Sequence, residues 1–341
     1  MANLRFAMLG CGYWAQFQIA AWRELEGIEL VALYNRTRSK AEALAERFGI
    51  SAVYDDAEAL MANEKLDFVD IVTDVDTHSK FVHLAAKHKL PVICQKPMAP
   101  DLQTAEQMVK VCREAGVSFA IHENWRWQHP IRQLKKAMLE SGVGKPFRAD
   151  IFYANSFPVF KNQPFLKDLE QFILTDMGSH ILDVARFLFG DAKRLYCQTN
   201  RVNPEIKGED VATVMMEMGE GTTVTCELSY ASRLERERFP QTYILIECEN
   251  GSVELGPDYW VRVTKGADTI STRHAPPHYP WAGHGHDVVH SSIVPCNADL
   301  LRALQTGQPA ETSGDDNLKT MRLVFGSYES AATGKSIVVS G

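Results

Sequence analysis

The sequence predicts an α/β fold class: an N-terminal doubly wound parallel sheet, then a C-terminal α+β domain with an open, mainly antiparallel sheet. Three observations carry this. Through residue 125, short apolar runs alternate with helix-like stretches across short loops, the pattern of parallel strands joined by crossover helices. Beyond residue 126, segments of alternating polarity separated by Gly and Asn turn signals take over. The 341-residue length suits two domains of about 150 residues each, expected at 1–125 and 126–341.

The first run, Leu4–Leu9, leads into Gly10-Cys11-Gly12-Tyr13-Trp14-Ala15. A glycine turn between a buried strand and a helix start is what a dinucleotide pyrophosphate needs. The first glycine makes the tight turn, the second lets backbone approach phosphate, and a small third residue lets helix pack on strand. The helix N-terminus adds free N–H groups and a partial positive charge. Gly10, Gly12, Tyr13 and Trp14 are therefore candidate cofactor contacts in a Rossmann-type domain. Helical spacing follows over 14–25, then a strand at Ile28–Tyr34, a helix at Arg38–Phe48 closed by Gly49, and a short helix at Asp56–Ala62. Next come a strand at Phe68–Val72, a helix over 78–88, a strand at Pro91–Cys94, a helix at Leu102–Ala115 and a strand at Val117–Ile121.

Ligands on such sheets bind beyond the carboxyl ends of the strands. Asn35 and Arg36 follow the second strand. Asn35 can bond an adenine-ribose hydroxyl without repelling a 2′-phosphate. Arg36 and Arg38 either pair with that phosphate, stack on adenine, or are solvated helix-start residues. NAD and NADP both remain open. Thr73 follows the next long strand, with Asp76 or Thr77 expected to cap the helix after it. Gln95-Lys96-Pro97 follows the strand ending at Cys94, and Lys96 there either faces a nicotinamide or is an exposed loop lysine.

In the second domain a helix at Ile131–Glu140 ends near Gly142. Strands are expected at Phe147–Tyr153, Arg194–Gln198, Val211–Met218, Thr222–Tyr230, Tyr243–Cys248 and Tyr259–Thr264, and a final helix over 315–337 that packs back on the molecule. Between them, Leu174 to Phe189 has helical spacing and stops at Gly190. Asp176, His180 and Asp183 fall at i, i+4 and i+7, one stripe of that helix. A carboxylate one turn from an imidazole fixes its tautomer and raises its basicity; a structural Asp–His pair has the same spacing. Asn124, Arg126, Trp127, Tyr153 and Asp183 offer hydrogen bonds and an apolar wall suited to a sugar or polyol, or serve the fold. His278–His290 holds His284-Gly285-His286-Asp287 and is either a substrate-covering loop or a plain surface loop.

Composition narrows the classes. With 45% hydrophobic residues the chain fills its cores, and a net charge of −7 excludes a broad nucleic-acid surface. No apolar run approaches the ~20 residues of a membrane span, and no leader is expected before the first strand. Seven cysteines (11, 94, 112, 197, 226, 248 and 296) lack any C-x-x-C spacing, as expected of reduced thiols in the cytoplasm.

Taken as an ordered set, these motifs resemble the Gfo/Idh/MocA oxidoreductase family across essentially the whole chain. G-x-G-x-x-A is shared. Thr73 and His78 match the ends of its T-P-N-x-x-H segment. Gln95-Lys96-Pro97 is similar to its E-K-P, Asn124-Trp125-Arg126-Trp127 to its N-x-R-F, and Asp176-Met177-Gly178-Ser179-His180 to its D-x-G-x-H. Gln95 departs from the usual glutamate and Asp74-Val75 from Pro-Asn, so the asparagine role is not carried over. The resemblance implies hydride transfer from a sugar or polyol hydroxyl to NAD or NADP. Lys96, Asp176 and His180 are the implied catalytic set, with His180 or Lys96 as the base. His78, Gln95, Lys96 and Asn124 join the cofactor contacts, and Lys96, Asp176 and His180 also touch substrate. Hydride transfer to nicotinamide needs no metal, so none is expected. Gln-Lys-Pro together with His122-Glu123-Asn124-Trp125-Arg126-Trp127 resembles the aldose dehydrogenase branch, D-apiose dehydrogenases included. That branch implies oxidation at the anomeric carbon to a lactone, leans to NAD, and with the family implies a homodimer or homotetramer paired through the C-terminal sheet. A nicotinamide-dependent glycosidase of the same fold and a non-catalytic dinucleotide sensor are the alternatives.

Overall fold

Runs too apolar to face water on either side become the strands of the first sheet. The computed structural model describes residues 3–235 and 239–339, with the backbone alone at Asn162. Its first elements are β1 (Leu4–Leu9), α1 (Ala15–Trp22), β2 (Ile28–Tyr34), α2 (Arg38–Phe48), β3 (Ala52–Tyr54), α3 (Ala57–Asn63), β4 (Phe68–Ile71), α4 (Val75–Lys87), β5 (Val92–Gln95), α5 (Leu102–Ala115) and β6 (Phe119–His122). The six strands are parallel in the order β3-β2-β1-β4-β5-β6. The order reverses between β1 and β4, which places the binding crevice of such a sheet at their carboxyl ends.

Local sequence accounts for several of the helix boundaries. Asp56 caps α3 by accepting from the Glu58 N–H at 2.9 Å, and Asp101 caps α5 through the Thr104 N–H at 2.7 Å. Gly49 and Gly116 end α2 and α5 in the left-handed conformation. The cap expected at Asp76 or Thr77 is corrected: α4 begins earlier, at Val75, with Asp74 in the cap position. The first turn of α4 thus includes both residues.

The second sheet is built from β7 (Pro146–Ala154), β8 (Ala192–Asn200), β9 (Val211–Met218), β10 (Thr223–Ser229), β11 (Tyr243–Cys248), β12 (Gly251–Leu255), β13 (Trp260–Lys265), β14 (Asp268–Arg273) and the terminal β15 (Ile337–Val338). Its order is β14-β13-β12-β11-β7-β10-β9-β8-β15, antiparallel except for the parallel pair β7 and β10. Alternation is strict in β9 and holds in β10 through Leu228, so that Ala212, Val214, Met216, Val224, Cys226 and Leu228 turn inward. The helices α6 (His129–Glu140), α7 (Val159–Asn162), α8 (Ser179–Phe189) and α9 (Asp287–His290) accompany this sheet. Two more, α10 (Ile293–Thr306) and α11 (Gly314–Thr333), complete the chain.

Several elements differ from expectation. β12 follows its turn signal directly and alternates over only a few residues, and β14 is exposed along its whole length and has no buried face to mark it. α10 carries Pro295 in its first turn, where proline is tolerated. The helix expected over 315–337 stops at Thr333, and Ile337–Val338 pairs with β8 instead.

Two compact units emerge. One comprises the chain through Glu123 with Pro280–Gly283 and Ile293–Met321; the other comprises Asn124–Tyr279, His284–Ser292 and the chain from Arg322 onward. Among the described residues no helix is long and apolar enough to cross a membrane.

Candidate active site

In the first unit the glycine turn has the geometry its sequence implies. Gly10 sits at φ +107°, and a Cβ there would lie 2.3 Å from the carbonyl oxygen of Val72. Only glycine lets β1 turn this close to the segment leaving β4. Gly12 is different: its φ is outside the left-handed range, and nothing lies within 4 Å of where its Cβ would stand. A side chain there would fill the space in front of α1, whose N-terminus has no side-chain cap. Open space beside free helix N–H groups fits a dinucleotide pyrophosphate. Tyr13 is exposed, its ring edge-on to Phe17, and Trp14 packs on Phe17, Ala21 and Ile293 beside Trp281.

The loops around this turn are braced by side chains. Asn35 accepts from the Cys11 N–H at 3.1 Å and donates to the Thr37 carbonyl at 2.9 Å, so both ends of its amide hold backbone. Burial pushes the Cys11 thiol up to about 12, keeping it protonated and unreactive. Arg36 is exposed, whereas the Arg38 guanidinium lies 2.9 Å from Glu42 and 3.9 Å from Asp55. Thr73 accepts from the Thr77 hydroxyl at 2.8 Å.

His78 is buried, with Nε2 facing the Thr73 carbonyl at 3.0 Å and Nδ1 facing the carbonyls of Pro97 and Met98 at 3.1 and 3.2 Å. Its ring ties the loop after β4 to the one after β5, and burial holds its pKa below the usual histidine value. Lys96 stands half-buried in that second loop, and the Lys96–Pro97 peptide is cis.

Beneath Lys96 lies a buried polar chain that sequence reasoning missed. Gln95 Nε2 donates to Gln18 Oε1 at 3.3 Å, and Gln18 Nε2 donates to Asp70 Oδ2 at 3.0 Å. The Trp22 indole N–H reaches the same oxygen at 2.7 Å. Asp70 is fully buried, and burial raises its pKa to about 6 against the pull of Trp22 and Gln18. The available signal was a carboxylate inside the apolar run Phe68–Val72, where charge is rarely found without partners.

In the second unit the segment carrying Asp176 and His180 is not one regular helix. Leu174–Gly178 forms a π-helical turn, and α8 begins at Ser179. Such turns widen the helix and recur at functional sites. The single stripe expected for Asp176, His180 and Asp183 is therefore interrupted between the first two. Asp176 accepts from the Tyr230 hydroxyl at 3.3 Å. Burial, then Tyr153 and Asp176, hold that phenol well above its usual range, so it stays a donor. His180 is buried and stacked on the indole of Trp125 at 4.3 Å and 24°. Trp125 is fixed in turn by its N–H to Thr242 Oγ1 at 3.0 Å, and Tyr153 meets both Trp125 and Tyr230 edge-on.

Other candidates hold one another. Arg126 and Asp183 form a buried two-point pair, Nε to Oδ2 at 2.7 Å and Nη2 to Oδ1 at 2.5 Å. Asn124 donates its amide to the Val289 carbonyl at 3.2 Å and to Ser292 Oγ at 2.8 Å. Trp127 lies under the Arg132 guanidinium at 3.6 Å. Glu209, unmarked by any local pattern, accepts the N–H groups of Phe172 and Leu174 at 3.2 and 3.1 Å and the Tyr328 hydroxyl at 2.7 Å. It fastens the start of the helical segment that carries Asp176 and His180. In the 284–292 stretch, His286 packs edge-on against Phe157 and Phe239 and stacks on His290, whose burial lowers its pKa to about 4. Among the described residues no group of three or more His, Cys, Asp or Glu side chains is arranged to hold a metal ion.

Comparison with known proteins accords with this geometry. Residues 4–123 match the family described as "Oxidoreductase family, NAD-binding Rossmann fold", and residues 131–254 match the GFO/IDH/MocA C-terminal domain. The chain is 41% identical to a D-apiose dehydrogenase of Rhizobium rhizogenes over 99% of its length and 98% of that protein. It is 40% identical to a D-apiose dehydrogenase of Paraburkholderia graminis over 97% of its length and 88% of that protein. A crystal structure of an oxidoreductase from Agrobacterium radiobacter, in complex with NAD+, L-tartaric acid and magnesium, superposes with a TM-score of 0.97 at 39% identity, covering 99% of each chain.

Proposed function

The chain belongs to the GFO/IDH/MocA oxidoreductase family, and from that premise we propose that it is an NAD-dependent D-apiose dehydrogenase oxidising the anomeric hydroxyl to a lactone. The observation that carries this reading is 41% identity sustained across nearly the whole length of a D-apiose dehydrogenase. Residues 1–125 are assigned to the dinucleotide and 126–341 to the sugar and to subunit pairing.

The nicotinamide, when bound, supplies the hydride acceptor. Gly10, Gly12, Tyr13 and Trp14 would line its pyrophosphate, Asn35, Arg36 and Thr73 its adenosine side, and Gln95, Lys96 and Asn124 its nicotinamide side, with His78 fixing the loops. Lys96 offsets the negative charge that develops on the substrate oxygen. His180 takes the hydroxyl proton. The Trp125 indole restricts that ring, and Asp176, steadied by Tyr230, orients it. Asn124, Trp127 and Tyr153 are assigned to the sugar, and Arg126 with Asp183 supports them through their buried pair.

The preference for NAD over NADP is supported by charge. Arg38 is already paired with Glu42 and Asp55, and at the end of β2 burial first, then Asp56 and Asp55 against the opposing Arg36, raise the pKa of Tyr34. A 2′-phosphate beside β2 would meet those carboxylates. A homodimer or homotetramer is assigned to the outer face of the nine-stranded sheet, where Met215 and Leu245 are exposed beside half-buried Phe152 and Tyr243. A cytoplasmic location is supported by seven cysteines that are all buried thiols outside any disulfide.

The test is NADH formation by the purified chain with D-apiose and a panel of other aldoses, with NAD+ and NADP+ in separate assays. Turnover of D-apiose with NAD+ is expected. Turnover of another aldose alone would overturn the substrate, and turnover with NADP+ alone would overturn the cofactor preference.

A further inference from the structure

We propose that the buried carboxylate of Asp70, acting through Gln18, fixes the amide of Gln95 so that its carbonyl oxygen is presented as an acceptor to the bound dinucleotide. The argument is one of hydrogen-bond polarity. The Gln18 amide nitrogen faces two acceptor oxygens, Asp70 Oδ2 at 3.0 Å and Asn297 Oδ1 at 3.5 Å. The Asn297 oxygen also faces His122 Nε2 at 3.0 Å, and the Asp70 oxygen also accepts from Trp22. Turning the Gln18 amide over would set its oxygen against both acceptors among side chains that are fully buried. Gln18 Oε1 must therefore point at residue 95, and residue 95 must donate.

Glutamine can donate there, and an ionised glutamate cannot. Gln95 stands at the carboxyl end of β5, immediately before Lys96. With its nitrogen committed to Gln18, its oxygen remains as the acceptor at the cofactor end of the strand. An acceptor suits the hydroxyl donors of a ribose. The departure from the family's usual glutamate is thus matched by the Gln18–Asp70 pair beneath it: the chain retains an acceptor and dispenses with the charge. Asp70 and Gln18 are positioning residues in this account, since neither is assigned a contact with the dinucleotide.

The inference rests on dinucleotide binding by the first unit and not on the identity of the sugar. NADH fluorescence titrations of the parent chain, Gln95→Glu, Gln18→Leu and the double variant form a cycle. Gln95→Glu is expected to bind NADH about tenfold more weakly, because its carboxylate opposes Gln18 Oε1. The same change in the Gln18→Leu background should cost less than about twofold, since the opposing oxygen is gone. In steady state, Gln95→Glu should raise the KM for NAD+ with little change in kcat or in the KM for the sugar. If Gln18→Leu fails to fold, Gln18→Met replaces it. Unchanged or tighter NADH binding by Gln95→Glu, or equal losses in both backgrounds, would overturn the proposal. Failure of the parent chain to bind NADH would overturn the dinucleotide reading and this inference together, whereas failure to oxidise D-apiose would touch the sugar alone.

Discussion

The glycine turn and the helical segment around His180 reach their geometry by opposite routes. At the turn the chain's own backbone does the work: Gly10 adopts a conformation other residues resist, and Gly12 leaves space in front of a helix end. Around His180 the local sequence is ambiguous, and distant side chains decide. Glu209 fastens the start of the segment, Trp125 covers the imidazole and Tyr230 steadies Asp176. The proposed dinucleotide site can therefore be disturbed by single backbone changes, whereas the proposed base can be disturbed from far along the chain.

The sharpest separation should come from Lys96→Ala and His180→Ala. Each is expected to lower kcat by about a thousandfold while leaving NADH binding within a few fold. Stopped-flow and binding measurements on the same preparations check this, and near-normal turnover in Lys96→Ala would remove that residue from the chemistry.

The two glycines should then divide folding from binding. Gly12→Ala is expected to fold with stability within about 0.5 kcal/mol of the parent and yet lose about a hundredfold in NADH affinity, because its methyl occupies phosphate space. Gly10→Ala, with its Cβ 2.3 Å from the Val72 oxygen, should lose about 3 kcal/mol of stability. Urea denaturation and NADH titration of both variants decide this, and equal stability losses would contradict the division.

Glu209→Ala attacks the other region from a distance. Losing the acceptor of two buried N–H groups should cost about 2–3 kcal/mol and lower kcat about tenfold, with NADH affinity unchanged. A parallel loss of NADH affinity would show that the two regions are not separable in this way.

The smallest effect on cofactor binding concerns Asp70, whose pKa is raised from 3.8 to about 6. A raised carboxyl favours the folded state when protonated. Its contribution is fully present below about pH 4 and is lost as pH rises through about 6. Asp70→Asn should remove that slope, gaining on the parent by up to about 3 kcal/mol between those limits. Part of the gain is offset because the Asp70 Oδ1 position has no protein partner for an amide N–H. Because the asparagine oxygen can still accept from Trp22 and Gln18, NADH affinity should hold. Denaturation midpoints across that pH range provide the measurement.

Much of the first sheet is legible because its strands are mainly apolar and α2, α3 and α5 carry their own cap or glycine stop. Asp56, Gly49, Asp101 and Gly116 act within a few residues of where they stand. Strands β9 and β11 are legible from period-two alternation alone. The exposed β14 and the proline-bearing α10 carry no such signal, since one has no buried face and the other has a residue that suggests a break.

The candidate site divides the same way. The sequence by itself determined the glycine turn, the placement of Asn35, Thr73 and Lys96 after strand ends, and the one-turn neighbourhood of Asp176 and His180, because these depend on neighbours within a turn of helix or the end of a strand. Only the tertiary structure decided that Arg126 locks to Asp183 across 57 residues, that Asn35 and His78 spend their polar groups on backbone, that a π turn precedes α8, and that Glu209 and Asp70 brace segments carrying the candidate residues. A buried polar group must find a partner wherever the fold supplies one, and that partner's position in the chain is free.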